Sequence, residues 1–131
     1  MEVYTLTISL PYSHEEEEIW SRTIEVPEEF TLRQLHQYIQ IIIDFDDDHL
    51  YEFYAGRNPR NNDHVISKER RLNEIYPMSG FKLYYLFDFG DSWLFEIRKS
   101  RKKKILEGNS PLPTVVESYG DNPDQYPEYD E

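Results

Sequence analysis

The sequence predicts an α+β fold, in which one long helix packs on one face of an antiparallel or mixed β-sheet in the manner of a β-grasp. Alternating apolar and polar residues mark strands at residues 3–10, 20–26, 50–55 and 81–98. One capped stretch with helical spacing follows the second strand, and only a short helical turn, marked by Leu72 and Ile75, precedes the last pair. The predicted order is therefore strand, strand, helix, strand, short turn, strand, strand.

Residues 81–98, FKLYYLFDFGDSWLFEIR, predict a buried hairpin in the middle of this sheet. The turn falls at residues 88–91, where Gly90 can supply a positive φ and Asp88 can bond the backbone of the turn. Seven positions share one face of the two arms, and six of them could fill a core: Phe81, Leu83, Tyr85, Phe87, Trp93, Phe95 and Ile97.

The N-terminal region predicts a second hairpin. Its first arm alternates through Tyr4, Leu6, Ile8 and Leu10, and its second arm through Trp20, Arg22, Ile24 and Val26. The acidic run of residues 15–18 lies in the loop between them. A solvated loop is a better interpretation of this run than a cation or partner site, because runs of like charge usually remain hydrated.

The helix begins at a capping box formed by Thr31 and Gln34, with Phe30 and Leu35 spaced for a hydrophobic staple. The apolar stripe that would pack on the sheet consists of Leu32, Leu35, Ile39, Ile42 and Ile43. His36 lies beside this stripe, so hydrogen bonding in or near the core is favoured over catalysis. The helix ends at the acidic stretch of residues 44–49, DFDDDH.

We expect no metal site and no cofactor. The chain has no cysteine, which removes thiol chemistry and cysteine-based metal centres. The carboxylates of residues 44, 46 and 48 have the spacing of the first ligands of an EF-hand loop. The comparison fails, because His49 replaces the glycine and Ala55 the final glutamate.

Length and charge predict one α+β domain at residues 1–106 and an acidic, proline-containing tail at residues 107–131 that is either draped over the domain or disordered. The tail holds seven carboxylates and no base, in a chain of net charge −12. No leader is recognisable, and no window approaches the roughly 18 apolar residues of a spanning helix. We therefore expect a soluble, cytoplasmic protein.

One basic patch interrupts the acidic sequence, consisting of Arg98, Lys99, Arg101, Lys102, Lys103 and Lys104. Its simplest interpretation is a solvated strand end neutralised by the acidic tail of the same chain. The alternative is nucleic-acid binding through the patch and exposed tyrosines. The net negative charge disfavours that alternative, because it repels phosphate backbones.

A candidate polar cluster lies where the helix exit meets the hairpin turn. Its members are His49, Asp88, Asp91 and Trp93, joined by His36 and Arg22. Polar groups at such element ends can bind a ligand, but turn architecture is the favoured interpretation. No catalytic residue is assigned, because the four histidines are scattered and no nucleophile motif accompanies them.

Several short motifs together resemble the plasmid pRi ORF-three-like family, whose members are labelled transposon-element passenger or resolvase-like proteins. The matching positions are Ile19-Trp20, Arg22, Val26-Pro27, Thr31-Leu32, Leu35-His36, Ile39-Gln40, His49-Leu50, Phe53, Tyr85, residues 88–91 and Trp93, with Pro113, Gly120 and Pro123 in the tail. The resemblance implies a fold and an association with mobile elements, without an established activity.

The chain departs from the family pattern at polar positions. Tyr51 and Phe95 stand where the family has histidines, Asp44-Phe45 where it has Gly-Trp, and Val115 and Asn122 where its tail has cysteines. A metal site built on those histidines and cysteines would have lost most of its ligands here. The sequence thus favours a non-enzymatic binding or adaptor module with a protein partner, and the alternative is a nucleic-acid-binding accessory protein that uses residues 98–104.

Overall fold

The computed structural model describes residues 2–10, 20–59, 64–78, 80–90, 92–102, 104–105 and 111–126. The elements are β1 (Glu2–Ser9), β2 (Ser21–Pro27), α1 (Leu32–Ile43), β3 (Tyr51–Gly56), β4 (His64–Ile66), α2 (Leu72–Ile75), β5 (Lys82–Phe87), β6 (Trp93–Lys99), β7 (Lys104–Ile105) and β8 (Thr114–Tyr119). The strands form one sheet in the order β4-β3-β5-β6-β1-β2-β8, and β7 pairs with β1. Each described pair is antiparallel, which confirms an α+β fold with a large antiparallel sheet.

The predicted hairpin lies in the middle of the sheet, because β5 and β6 are the third and fourth strands of this order. Its register runs from Leu83 opposite Ile97 to Phe87 opposite Trp93. Six of the seven predicted core residues are buried, whereas Phe81 precedes β5 and is 37% exposed. The alternation of apolar residues was therefore a sufficient guide to the inner face of both strands.

The turn of this hairpin differs from the prediction. Gly90 does not adopt a positive φ; Asp88 and Ser92 do, with φ of 60° and 56°. The expected bond within the turn is present, since the Gly90 N–H donates to the Asp88 carboxylate at 3.2 Å. Asp can occupy the left-handed region because its short side chain bonds the local backbone, which explains why glycine is not required there. Asp91 lies outside the described residues.

The N-terminal hairpin has the predicted faces. The inner face of β1 and β2 is buried and comprises Tyr4, Leu6, Ile8, Ile24 and Val26, with Leu10 and Trp20 just beyond the strands. Its loop, including the acidic run of residues 15–18, lies outside the described residues. The buried face joins one hydrophobic core with the inner residues of α1, β3, β5 and β6.

The helix α1 begins and ends as its sequence dictates. The Thr31 hydroxyl accepts a hydrogen bond from the Gln34 N–H, and the Gln34 side chain accepts one from the Thr31 N–H, so the capping box is confirmed. At the other end the Phe45 N–H bonds the Gln40 carbonyl and the Asp44 N–H bonds the Ile41 carbonyl. This is a Schellman motif, and it holds Asp44 in the left-handed region at φ 60°.

Three of the described strands were not predicted: β4, β7 and β8. The β8 strand pairs with β2, from Ser21 opposite Tyr119 to Glu25 opposite Thr114, with a bulge at Thr23 and Ile24. The extended acidic tail is therefore not confirmed over residues 111–126. Its sequence around Val115 and Val116 lacks the alternation of a half-buried strand, because β8 is an exposed edge strand whose residues pack little against the core.

The short helix α2 fixes the chain that leads into β5. The Leu72 N–H donates to the Phe30 carbonyl at 2.8 Å, and the Leu32 N–H donates to the Arg70 carbonyl at 3.0 Å, so the starts of α1 and α2 are bonded to each other. Neither described helix has the length and apolar character needed to cross a membrane.

Candidate functional site

The structure divides the predicted polar cluster among three networks. His49 and Asp88 are close, with 3.4 Å between Nε2 and Oδ2. Trp93 is buried and packs edge-on against Phe45, with 4.9 Å between ring centroids. His36 and Arg22 belong to two other networks, and Asp91 lies outside the described residues.

The first network is buried under α1 and centres on His36. The Tyr85 hydroxyl lies 2.5 Å from His36 Nδ1 and accepts a hydrogen bond from the Gln40 amide at 2.9 Å. On its other side His36 Nε2 lies 2.9 Å from the Asp47 carboxylate. Since a carboxylate only accepts, Nε2 carries the proton and donates to Asp47, and the Tyr85 hydroxyl donates to Nδ1.

The chain of hydrogen bonds from Asp47 through His36 to Tyr85 has the geometry of a proton relay, but its inner end is inaccessible to solvent. Tyr85 is fully buried, and burial raises the pKa of its hydroxyl well above the ordinary value, so it is neither reachable by a substrate nor ionised. Burial lowers the pKa of His36, although Asp47 acts in the opposite direction. The network therefore fits the core hydrogen-bonding role expected for His36.

Tyr51 completes this network. Its ring stacks on the His36 imidazole at 3.5 Å between centroids and 4° between planes. The Lys68 ammonium lies 4.1 Å from the centroid of the same Tyr51 ring. The Tyr51 ring thus packs on the His36 imidazole and also faces the Lys68 cation.

The second network surrounds His49 and includes residues that local sequence patterns did not indicate. The Tyr126 hydroxyl donates to both Asp48 carboxylate oxygens, at 2.9 and 3.1 Å, and His49 Nε2 bonds the same hydroxyl at 2.6 Å. Gln125 bonds Asp46 twice, accepting from its N–H at 2.6 Å and donating to its carbonyl at 3.0 Å. Desolvation, followed by the Asp48 hydrogen bond and nearby carboxylates, raises the pKa of Tyr126 to about 12, so its hydroxyl remains a donor.

The third network joins Arg22 to residues 119–126, which we call the C-terminal strap. The guanidinium donates to the carbonyls of Tyr119 and Gly120, at 2.7 and 2.8 Å, and to the Asn122 side chain at 2.9 Å. Asn122 Oδ1 also accepts from the Trp20 indole, and its amide donates to the carbonyl of Ile42 at the end of α1. Gly120 takes a φ of 78°, which turns the chain from β8 toward the helix.

The basic patch lies at the opposite end of the β5–β6 hairpin from the strap. Arg98 is 3.8 Å from the Glu96 carboxylate, which also pairs with Lys82 at 3.1 Å. Lys99 lies over the Tyr4 ring, 4.6 Å from its centroid. Within the described part of the chain, Arg101 and Lys102 form no ion pair. Lys103 lies outside the described residues, and of Lys104 the structure describes the backbone.

A cavity of about 370 Å³ opens beside this patch, and we call it the basic cleft. Cations and apolar side chains line it: Lys82, Arg98, Lys99 and Arg101, with Tyr76, Pro77, Met78, Phe81, Leu83 and Ile97. Among these cations, Lys99 is half-buried and the other three are exposed. No ion pair links residues 111–126 to the described cations of this patch. The described part of the tail therefore offers no support for neutralisation of the patch by the chain itself.

A second, polar cavity of about 470 Å³ lies at the strap end and is lined by Asp44, Asp46, Asp124, Gln125 and Tyr126. Among the described residues, no group of three or more histidine, aspartate or glutamate side chains is arranged to hold a metal ion. Of the acidic side chains that follow α1, Asp48 accepts hydrogen bonds from the strap, whereas those of Asp44 and Asp46 are exposed to solvent.

Sequence reasoning identified His49, Asp88 and the cations, but missed the partners that organise them. Asp47 is 11 residues from His36 and could have been identified as a candidate partner, because it lies in the acidic stretch that follows α1. Asn122, Gln125 and Tyr126 could not, since their bonds span 77 to 102 residues. The apolar interior of the basic cleft likewise combines residues from two strands and the α2–β5 connection.

Comparison with known proteins supports the predicted family. No curated protein matches the chain. The crystal structure of a protein of unknown function, MM3350 from Methanosarcina mazei Go1, is similar, with a TM-score of 0.72 and 27% identity, covering 89% of this chain and 68% of that one. The family model described as plasmid pRiA4b ORF-3-like protein matches residues 2–125. Because that match spans nearly all of the sequence, the chain belongs to the plasmid pRiA4b ORF-3-like protein family.

Proposed function

We propose that this protein is a non-enzymatic binding module that holds a small organic anion with an aromatic ring in the basic cleft. One observation carries the proposal: exposed cations surround a cavity with an apolar interior. Its volume of about 370 Å³ lies within the range of pockets that bind small molecules, roughly 300 to 1,000 Å³. The histidine networks, by contrast, are engaged in holding the core and the C-terminal strap.

The charges around the cleft favour an anionic ligand. Lys82 and Arg98 share one buried carboxylate, Glu96, so two cations face one anion. Arg101 lines the cleft and, within the described part of the chain, has no carboxylate partner. An anionic group placed among these side chains would gain charge-assisted hydrogen bonds in a molecule that otherwise repels anions.

The interior of the cleft favours an aromatic ring on the same ligand. Phe81 remains 37% exposed, with the Arg57 guanidinium 5.8 Å from its ring centroid and the His64 ring edge-on at 5.6 Å. The Tyr76 hydroxyl is buried and has no hydrogen-bond partner among the described residues. A flat ligand can cover the exposed ring of Phe81, whereas the buried Tyr76 hydroxyl lies out of its reach.

A matched pair of dyes tests both features. 8-Anilinonaphthalene-1-sulfonate carries the aromatic rings and the negative charge, and N-phenyl-1-naphthylamine carries the same rings without the charge. We expect the sulfonate to bind the intact chain more tightly in a fluorescence titration. Arg101→Gln should weaken sulfonate binding about tenfold, because a hydrogen bond to a charged group contributes about 1.5 kcal/mol, and should leave the neutral dye unaffected.

Arg70→Gln is the matched control, because Arg70 is an exposed arginine that pairs with Glu74 away from the cleft. Equal binding of the two dyes, or an equal effect of the two arginine substitutions on sulfonate binding, would contradict the proposal.

A second candidate function is binding of single-stranded nucleic acid. The observation in its favour is that exposed Lys102 directly follows Arg101, and Arg101 lines the cleft together with the exposed ring of Phe81. The test is fluorescence anisotropy of a labelled oligothymidylate at low salt with the intact chain, since removal of residues 107–131 would delete β8. Binding that Arg101→Gln and Lys102→Gln weaken additively would favour this candidate, and an absence of binding would remove it.

A further inference from the structure

Three large, mainly apolar side chains are exposed on the segments that meet at the turn end of the hairpin. Leu50, Phe89 and Tyr126 are 70%, 48% and 51% exposed. The Asp88 N–H donates to the Leu50 carbonyl at 2.9 Å, which places Leu50 beside the residue that precedes Phe89. Tyr126 reaches the same region through its bond to His49, the residue before Leu50. We call these three side chains and their neighbouring carboxylates the acidic-aromatic face.

Among the described residues, the charged side chains identified beside Tyr126 are carboxylates. Tyr126 bonds Asp48, and the charges that act on its hydroxyl are those of Asp48, Asp88 and Asp46. The exposed cations of the basic cleft lie at the other end of the hairpin and cannot neutralise it. No described segment of the chain covers this apolar patch, and carboxylates border it. Such an arrangement is typical of interaction sites.

We propose that the acidic-aromatic face docks a cationic segment of a partner protein that carries large apolar side chains. Charge complementarity would attract and orient such a segment, and burial of its apolar side chains against Leu50 and Phe89 would hold it. A second copy of the same face is a poor occupant, because it would bring two sets of carboxylates together. This site is separate from the basic cleft, so one chain can bind an anion at one end and a basic protein segment at the other.

Two labelled peptides test the proposal by fluorescence anisotropy with the intact chain. One alternates lysine with leucine, and the other alternates lysine with glycine at the same length and charge. We expect the lysine–leucine peptide to bind about tenfold more tightly or better, since burying one leucine side chain corresponds to at least that factor. Raising the salt concentration should weaken both peptides, because both depend on the same carboxylates.

The decisive variant is the double substitution Leu50→Ser and Phe89→Ser, which leaves every charge in place. It should lower the affinity for the lysine–leucine peptide about tenfold, toward that of the lysine–glycine peptide. The matched control is Ile41→Ser, because Ile41 is 73% exposed on α1 and lies outside the face. Because all three side chains are exposed, these substitutions should preserve the unfolding midpoint.

Three outcomes would overturn the proposal: equal affinity for the two peptides, an unchanged affinity in the double variant, or an equal loss in Ile41→Ser. Light scattering over a range of protein concentrations tests whether a second copy of the chain occupies the face instead. A dimer that forms as concentration rises and disappears in the double variant would assign the face to a second copy. Arg101→Gln should not alter peptide binding, so failure at this face and failure at the basic cleft give different results.

Discussion

The two ends of the β5–β6 hairpin use their charged side chains in different ways. At the turn end, side chains from the exit of α1 bond residues of the C-terminal strap, as Asp48 and His49 do with Tyr126. At the other end, Lys82 and Arg98 share one carboxylate, and Arg101 has no ion-pair partner in the described part of the chain. Hydrogen bonds within the protein thus fix the first end, while the second retains cations that a ligand can engage.

Two arginine substitutions, one at each end, give the largest expected difference in the free energy of unfolding. Arg22→Met removes the donors that bind the strap at Tyr119, Gly120 and Asn122. The loss of several charge-assisted hydrogen bonds should lower the free energy of unfolding by about 2–4 kcal/mol. Arg101→Met should change it by no more than about 0.5 kcal/mol. Urea unfolding measures both, and equal losses would show that the strap end is not the more firmly fixed one.

A pair of tyrosine substitutions compares a buried hydroxyl with an exposed one. Tyr85→Phe leaves the buried His36 Nδ1 and the Gln40 amide without their shared partner, so it should cost about 1–3 kcal/mol of stability. Tyr126→Phe removes bonds at a half-exposed site where water can replace the hydroxyl, so we expect a smaller cost than for Tyr85→Phe. Thermal unfolding should rank the two variants in that order, and the reverse order would place the stabilising network at the surface.

The difference between the ends also explains how far the sequence could predict the molecule. Periodicity placed the inner residues of the hairpin, and the capping box placed the start of α1, because both signals lie within a few residues. The strap depends on pairs such as Trp20 with Asn122, which lie 102 residues apart and carry no local pattern. The cations of the basic cleft were visible as a run, but its apolar interior required the tertiary structure. Patterns within a few residues therefore predicted the secondary structure and the positions of the charged residues. Long-range packing decided which of those residues have a partner within the protein.

The pH dependence of stability tests whether His36 titrates as a buried group. Burial lowers the pKa of His36 below its ordinary value of about 6.5, so in acid the unfolded chain takes up the proton first. The free energy of unfolding should therefore be highest above about pH 6.5 and should fall as the pH drops through that value toward the pKa of the folded state. In His36→Gln this slope should be smaller. If urea midpoints of the two proteins show the same pH dependence, His36 is not the titrating group.

The smallest effect concerns the helix end that carries the strap. Asp44 occupies a left-handed position at φ 60°, where glycine is favoured, and its charge opposes the dipole of α1. Asp44→Gly should therefore stabilise the fold by about 0.5–1 kcal/mol. Asp44→Asn removes the charge and tolerates the same backbone, whereas Asp44→Ala removes the charge and keeps the backbone strain. A gain for glycine and asparagine but not alanine, in thermal unfolding, would identify the backbone as the larger contribution. Equal gains in all three would show instead that repulsion among the carboxylates of the turn end limits its stability.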